Sequence, residues 1–198
     1  QYLLHAYLSR PITATQVRRA KVFAKAHGEP FNEAGWTHIL HCYDGHLPVR
    51  IRAIPEGLVV PTGLPLLTVE SVNDPVCPWV VNWIETMLVR LWYPSTIAIA
   101  SRESKKILRE FLEQTADDPE AEIAFKLHDF GARGVASLEQ SRLGGAAHLL
   151  SFLGSDTAEG IRLANHYYDC EMAGFSIPAT EHSTMTAWGE DRELEAME

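Results

Sequence analysis

The strongest constraint on the fold lies in residues 119–198, where three short apolar segments alternate with helix-like segments. The apolar segments read IAFKLHDF, HLLSFLG and GFSIPA, and polar residues follow each of them. The helix-like segments run from Ser137 to Ala147, from Ser155 to Tyr168, and onward from Glu181. Short apolar strands that alternate with helices are typical of parallel βα units. The sequence therefore predicts an α/β fold for this region.

Residues 1–118 have a different pattern, which predicts helices and a small antiparallel sheet. Thr caps and a terminal glycine bound the helix-like segment TATQVRRAKVFAKAHG, and Asn32 is a candidate cap for a second helix. The stretch Pro48–Glu70 is β-branched and broken by Pro and Gly, as in short antiparallel strands. An apolar helix, expected to stop at Pro94, and a further helix then follow. We predict two domains, residues 1–118 and residues 119–198.

Mostly polar residues collect at the carboxyl ends of the three predicted strands. In parallel α/β folds the chemistry is carried by loops at these ends, and in a barrel the ends face one mouth. Helix N-termini and arginine favour anions, phosphates above all. The pattern predicts a pocket that binds an anion and also offers carboxylates, a histidine and an aromatic ring. The residues are His128, Asp129, Phe130 and Arg133; Gly154, Ser155, Asp156 and Thr157; and Glu181, His182, Ser183 and Thr184.

Each of these residues also has a purely structural interpretation. Asp156 is of a type that commonly caps helices, and Phe130 could belong to the core. Arg133 could be a surface arginine after a turn, and His182 could lie in a helix's first turn without a task. The three clusters taken together favour a functional pocket more than any single residue does.

Composition excludes several classes of function. The net charge is −9, from 17 basic and 26 acidic residues without a basic block. Such a chain is poorly suited to nucleic acid, because neutralising phosphates supplies most of that affinity. No apolar run approaches the length that spans a bilayer, so no membrane partner is expected. The three widely spaced cysteines predict buried free thiols in a reducing compartment, and we expect the cytoplasm.

Two further features have weaker implications. His38 and His41 share one helical face near Cys42, and that spacing can hold zinc. No matched second pair of ligands appears, so the sequence predicts no metal site. A tryptophan series on an apolar helix is interpreted as core: Trp79, Trp83 and Trp92.

Both ends of the chain are expected to be cuts. The sequence opens in a helical pattern, QYLLHAYL, without Met, and it closes in an acidic, helix-favouring run, GEDRELEAME, without a stop signal. We expect the natural protein to be longer.

The motifs at the predicted strand ends resemble those of nicotinamide phosphoribosyltransferases, in the type II phosphoribosyltransferase family. The similar segments there are KLHDFGARGVASLEQ, GGAAHLLSFLGSDT and SIPATEHSTMTAWG, and earlier ones are FNEAGW, YDGHLPVRIRAIPEG, NWIETMLVRLWYP and SRESKKIL. The resemblance covers nearly the whole chain, in order. It implies the middle of a longer enzyme, with the first βα units of a partial (β/α) barrel after a helical and antiparallel-β region.

The resemblance also implies an activity and a set of partners. The family joins nicotinamide to phosphoribosyl pyrophosphate and releases nicotinamide mononucleotide and pyrophosphate, a salvage step of NAD biosynthesis. Mg²⁺ accompanies the phosphorylated substrates, and ATP stimulates the reaction. No tightly bound cofactor is implied. The family enzyme is a homodimer whose active sites are shared between subunits.

Residue roles follow from the same resemblance. Phe130 matches the aromatic residue that stacks on the pyridine ring, and Arg133 matches a phosphate ligand. Asp156 matches the carboxylate that meets the amide nitrogen of nicotinamide. His182 matches the histidine that ATP phosphorylates, which couples hydrolysis to product formation. The remaining matches are pocket-wall positions: Ser176, Ile177 and Ala179.

The sequence departs from the family pattern in two places and leaves alternatives open. Ala132 lies where an aromatic residue is usual, and Leu153 lies where a lysine is common. Because the family's second arginine and its glycine-rich phosphate loop would follow Glu198, we expect the isolated chain to be nearly inactive. The alternatives are an enzyme that uses nicotinate, a non-catalytic fragment that keeps the fold, and a glycosidase using Asp156 and Glu181.

Overall fold

Capping side chains fix the starts of several helices in the computed structural model, which describes residues 1–198. Thr13 and Gln16 form a reciprocal capping box, in which each side chain accepts the other's backbone N–H. Asn32 and Ser137 each accept the backbone N–H three residues further on. Gly28 ends the first helix at a φ of 86°, a left-handed conformation that glycine adopts without strain. These predicted boundaries are confirmed.

The chain is mixed helix and strand, with one two-stranded sheet and short π- and 3₁₀-helical segments between longer helices. No helix combines the length and the apolar character needed to cross a bilayer. In chain order, the elements are a π-helical turn (Leu4–Leu8), α1 (Ala14–His27), α2 (Glu33–Cys42), β1 (Val49–Ala53), β2 (Leu67–Ser71), α3 (Val80–Val89), α4 (Trp92–Thr115), α5 (Pro119–Glu122), 3₁₀ turns (Ile123–Phe125 and Gly131–Gly134), α6 (Leu138–His148), α7 (Ala158–Tyr167), α8 (His182–Trp188), a 3₁₀ turn (Glu190–Arg192) and α9 (Glu193–Met197).

Two compact units make up the chain, Gln1–Ile99 and Ala100–Glu198, and the boundary between them falls inside α4. The sequence predicted a domain boundary at residue 118, which refers to the domains of the family enzyme and not to these compact units. That boundary stays a prediction. In the first unit, β1 and β2 pair antiparallel from Val49 opposite Ser71 onward, as predicted.

The core of the first unit forms between α2 and the start of α3. Ile39, Cys77 and Val80 are fully buried and pack together. Trp36 and Trp79 meet edge to face beside them, with ring centroids 4.8 Å apart. This core fixes the loop between β2 and α3 against α2.

The prediction of three strands in the second unit is wrong as secondary structure, but the parallel order of the segments is confirmed. The segments meet only in isolated parallel bridges, one joining Asp129 to Ser155 and one joining Gly154 to Phe175. The first apolar segment instead begins as the 3₁₀ turn Ile123–Phe125.

Competing backbone hydrogen bonds explain why these strands are so short. Leu150 and Ser151 donate their N–H groups back to the last turn of α6, so they have none to give to a ladder. Lys126 likewise donates to Ile123 within the 3₁₀ turn. Pro178 in the third segment has no N–H at all. Short apolar runs next to helices cannot be assigned from periodicity alone.

Pro94 does not stop a helix, contrary to the prediction. It lies in the first turn of α4, where a missing backbone N–H costs nothing, and α3 has already ended at Val89.

The tryptophan and cysteine predictions hold only in part. Trp83 and Trp92 are 50% and 62% exposed, so the core assignment is wrong for both. All three cysteines are free thiols, as predicted, but only Cys77 is buried.

Helices α6 and α7 approach closely because two glycines face each other across their contact. A Cβ added at Gly160 would lie 2.6 Å from the Cα of Gly145, and one added at Gly145 would lie 2.9 Å from the Cα of Gly160. Neither distance is tolerated by real side chains, so the backbones touch where only hydrogen fits. This contact sets the position of the segment between the helices, which contains Ser155 and Asp156.

Gly160→Ala should therefore destabilise the protein by about 1–3 kcal/mol, because the new methyl group meets backbone that cannot rotate away. The measurement is the free energy of unfolding in urea, followed by circular dichroism. Gly134→Ala is the matched control, since a Cβ there has nothing within 4 Å, and its stability should change by less than about 0.5 kcal/mol. Equal stability of Gly160→Ala and the unmodified protein would contradict the close-packing account.

Candidate active site

Five backbone hydrogen bonds join the three segments that the sequence predicted to meet, and one of them runs from the Leu153 N–H to the carbonyl of Ala124 at 2.8 Å. Asp129 donates its N–H to the carbonyl of Gly154 and accepts the N–H of Asp156, at 3.1 and 2.9 Å. Phe175 accepts the N–H of Ser155 and donates to the carbonyl of Leu153, at 2.9 and 2.7 Å. The residues that follow these bonds are thereby held side by side.

The side chain of Asp156 is the centre of the resulting cluster. Ser176 Oγ donates to its Oδ1 at 2.5 Å, and His128 Nε2 lies 2.9 Å from its Oδ2. The hydrogen bond from Ser176, and then the hydrogen bond from His128, hold the pKa of Asp156 below its usual range. The carboxylate is therefore ionised at neutral pH, and its side chain is 38% exposed.

His128 links this carboxylate to an aromatic ring. Its imidazole lies against the Phe130 ring, with centroids 4.5 Å apart and planes tilted by 36°. The His128 side chain is only 7% exposed, whereas Phe130 is 56% exposed. The site thus presents a flat apolar ring to a ligand, close to an ionised hydrogen-bond acceptor.

The tautomer of His128 follows from its surroundings. Its Nδ1 is buried without a hydrogen-bond partner, next to the backbone of Gly154. A neutral ring that carries its proton on Nε2, and donates it to Asp156, leaves only a lone pair buried there. A Cβ at position 154 would lie 2.7 Å from Nδ1, so glycine is required for the ring to fit.

Glycines also shape the turn that carries Arg133. Asp129 Oδ1 accepts the N–H of Gly131 at 2.7 Å, which turns the chain into the 3₁₀ segment Gly131–Gly134. Arg133 is exposed in that segment. Its guanidinium is therefore available to an anion in solution.

His182 is the first residue of α8 and is 81% exposed. The preceding residue, Glu181, caps the helix by accepting the backbone N–H groups of Ser183 and Thr184. Its other oxygen lies 2.7 Å from His182 Nδ1. The Ser183 hydroxyl and these N–H groups lower the pKa of Glu181, so an anion holds the imidazole Nδ1–H and leaves Nε2 facing solvent.

The structure brings only some of the predicted site residues together. Asp156, Phe130 and Ser176 belong to one cluster with His128, while the described hydrogen bonds and ion pairs do not link Arg133 or His182 to it. The pocket-wall residues Ile177 and Ala179 follow Ser176 and are half-buried and exposed.

His128 was predicted to lie at a strand end, without a role. Its signal was the pairing of a histidine with an aspartate at the end of the neighbouring segment. Ser176 was predicted as pocket wall, and the structure adds its hydrogen bond to Asp156.

Comparison with known proteins matches both ends of the chain to related families. Residues 1–51 match the nicotinamide phosphoribosyltransferase N-terminal domain, and residues 125–198 match the nicotinate phosphoribosyltransferase (NAPRTase) family. The Asp156 cluster lies wholly within the second match.

Curated relatives are similar over most of the chain. A nicotinamide phosphoribosyltransferase of Xanthomonas campestris pv. campestris is 53% identical over 196 residues, which are 99% of this chain and 42% of that protein. Those of Acinetobacter baylyi and Mycoplasma pneumoniae are 38% and 36% identical, over 80% and 75% of this chain and 32% and 31% of their own length. The chain thus spans less than half the length of these relatives. Because it is similar to them over most of its own length, it belongs to the nicotinamide phosphoribosyltransferase family.

Proposed function

We propose that the protein transfers the phosphoribosyl group of phosphoribosyl pyrophosphate to nicotinamide, as a salvage step of NAD biosynthesis. The observation that carries this proposal is the ionised Asp156, joined through His128 to the exposed ring of Phe130. An aromatic base that bears an amide matches both groups, since Phe130 stacks on its ring and Asp156 accepts its N–H. The three bridged segments would be the first strands of the family's α/β barrel.

The charge of Asp156 favours the amide over the acid. A carboxylate accepts a hydrogen bond from an amide N–H, but it repels the carboxylate of nicotinate. Because Ser176 and His128 keep Asp156 ionised, this discrimination persists through neutral pH. The second candidate, a nicotinate enzyme, is favoured by the name of the family matched at residues 125–198.

The phosphate end of the substrate would be bound by Arg133. Its planar guanidinium can donate two parallel hydrogen bonds to a phosphate. Mg²⁺ would arrive bound to the diphosphate and is therefore part of that substrate. The carboxylate of Asp129 is an oxygen donor of the kind that Mg²⁺ takes, and the ion would neutralise charge on the leaving pyrophosphate.

The reaction needs positioning more than acid–base chemistry. The pyridine nitrogen of nicotinamide attacks the ribose C1 as the bond from C1 to the pyrophosphate oxygen breaks. Positive charge develops on the ribose, and negative charge develops on the leaving group. Phe130 and Asp156 would orient the base, and Arg133 would stabilise the departing anion.

ATP would act through His182. With Nδ1–H held by Glu181, the exposed Nε2 can attack the γ-phosphorus of ATP, so that the β–γ bridging bond breaks and ADP leaves. The phosphorylated histidine would then be hydrolysed as product forms. We also infer a homodimer in the cytoplasm, with a partner subunit that completes the binding site for the base.

Asp156→Asn tests the role of the carboxylate in base selection. It should raise the KM for nicotinamide roughly 10- to 100-fold, the loss expected for a charge-assisted hydrogen bond. It should also narrow the preference for nicotinamide over nicotinate, because the repelling charge is gone. Initial rates with each base and phosphoribosyl pyrophosphate, in the full-length protein, measure both effects.

Asp169→Asn is the matched control for this variant. Asp169 is exposed at a φ of 50°, which asparagine also adopts, so its rates should be unchanged. If Asp156→Asn keeps the nicotinamide KM and the base preference of the unmodified protein, the proposed role of Asp156 is wrong.

His182→Gln tests the role of the histidine in ATP coupling. It should abolish transfer of ³²P from γ-labelled ATP to the protein and remove the stimulation by ATP, while leaving ATP-independent transfer measurable. His166→Gln, at another exposed histidine, should retain the acid-labile label. Labelling of His182→Gln at the level of the unmodified protein would refute the assignment.

A further inference from the structure

A second polar cluster, in the unit Gln1–Ile99, combines three types of metal-binding side chain. His38, Asp74 and Cys77 each contribute one ligand atom, and these atoms all lie within 4.8 Å of one another. His38 comes from α2, whereas Asp74 and Cys77 come from the loop between β2 and α3. His41, which the sequence pairs with His38 at zinc spacing, is exposed and does not belong to the group.

The three side chains of this His38 cluster are held in place before any ion binds. Asp74 Oδ1 accepts the backbone N–H of Val76 at 2.8 Å, and its Oδ2 accepts the Tyr43 hydroxyl at 2.7 Å. Cys77 is fully buried in the core. Fixed ligands lose little conformational freedom when a metal binds, which favours affinity.

Charge at the cluster also suits a cation. Asp74 brings a carboxylate, whose oxygens are donors that cations take, and hydrogen bonds from the Tyr43 hydroxyl and the Val76 N–H fix its orientation. The Asp74 side chain is 13% exposed and that of His38 is 28% exposed, which leaves a route for an ion from solvent.

We propose that His38 Nε2, the Asp74 carboxylate and Cys77 Sγ bind one Zn²⁺ ion. Imidazole nitrogen, carboxylate oxygen and thiolate sulfur are the three donors that zinc takes in proteins, whereas Mg²⁺ and Ca²⁺ prefer oxygen alone. With Zn–N near ~2.0 Å and Zn–S near ~2.3 Å, ligand atoms around a tetrahedral ion lie roughly 3–4 Å apart. The present separations reach that range through small side-chain movements, and solvent fills the fourth position.

Binding of zinc displaces two protons from the ligand atoms. Without the ion, His38 Nε2 lies 2.7 Å from Asp74 Oδ2 and donates its proton there. When zinc binds, that proton moves to Nδ1, which lies 3.5 Å from Cys42 Sγ and can donate to it. The Cys77 thiol loses its proton to solvent, because a coordinated thiol is deprotonated. Cys42 thereby orients the His38 ring without being a ligand.

The simpler alternative is that the cluster is only a hydrogen-bonded network. Tyr43 and His38 already satisfy Asp74, and buried polar groups in native proteins are normally satisfied in this way. The two interpretations predict different metal binding. A zinc site binds one equivalent of a cation that prefers thiolate, whereas a hydrogen-bonded network binds no stoichiometric amount.

Cobalt(II) titration of the full-length protein, stripped of metal and reduced, tests the proposal. Cobalt replaces zinc in such sites and shows a thiolate-to-metal charge-transfer absorption when sulfur is bound. We expect one equivalent to produce this band, one equivalent of zinc to displace it, and about one proton to be released per ion. A titration without a charge-transfer band, or one that does not saturate near one equivalent, overturns the proposal.

Variants separate this site from other cysteines and histidines. His38→Gln and Cys77→Ser should abolish the band, and circular dichroism checks that both remain folded. His41→Gln and Cys170→Ser should retain it, because both residues are exposed and lie outside the cluster. Cys42→Ser should also retain it, with weaker affinity. A band that survives in Cys77→Ser, or that disappears in a folded Cys170→Ser, contradicts the assignment. The two variants are independent, so a failure of one to fold leaves the other as a test.

Discussion

The candidate active site depends on backbone hydrogen bonds that join residues far apart in the sequence, four of them at Asp129 and Phe175. They connect Asp129 with Gly154 and Asp156, and Phe175 with Leu153 and Ser155. Without them, Ser176 and His128 would not reach the same carboxylate from different segments. The close contact of Gly145 and Gly160 also supports this arrangement, because it fixes α6 and α7, the helices on either side of the segment that bears Asp156.

The two polar clusters of the chain share one physical design. In each, an aspartate accepts a hydroxyl hydrogen bond and an imidazole hydrogen bond, from Ser176 and His128 at Asp156 and from Tyr43 and His38 at Asp74. Both carboxylates are thereby kept ionised. The difference lies in what each carboxylate faces.

The neighbour of each carboxylate decides which ligand suits it. His128 lies between Asp156 and the exposed ring of Phe130, and this ring suits a flat aromatic base that carries an amide. Near Asp74 lies the buried thiol of Cys77, which suits a borderline-soft cation. We therefore assign different chemistry to two clusters whose hydrogen bonds are alike.

Local signals allowed the helices to be predicted from the sequence. Thr13, Asn32 and Ser137 cap their helices as their side-chain chemistry dictates, and Gly28 ends one. The meeting of His128 with Asp156 was also foreseeable in outline, because parallel segments bring their ends together, whereas Ser176 was expected there only from the family resemblance. The lengths of the strands could not be predicted. The N–H groups of Leu150 and Ser151 donate to the last turn of α6, and hydrophobic periodicity carries no sign of that competition. The His38 cluster was missed because Asp74 and Cys77 reach His38 only through tertiary packing.

The role of the Asp156 charge is tested by the ratio of kcat/KM for nicotinamide to that for nicotinate, measured in the unmodified full-length protein with phosphoribosyl pyrophosphate, from neutral pH downward. We expect a strong preference for nicotinamide at neutral pH. Because the pKa of Asp156 is lowered, the carboxylate should stay ionised until the pH falls below the usual range of aspartate, and its contribution should be lost only there. An equal or greater rate with nicotinate at neutral pH would mean that the charge of Asp156 does not select the amide.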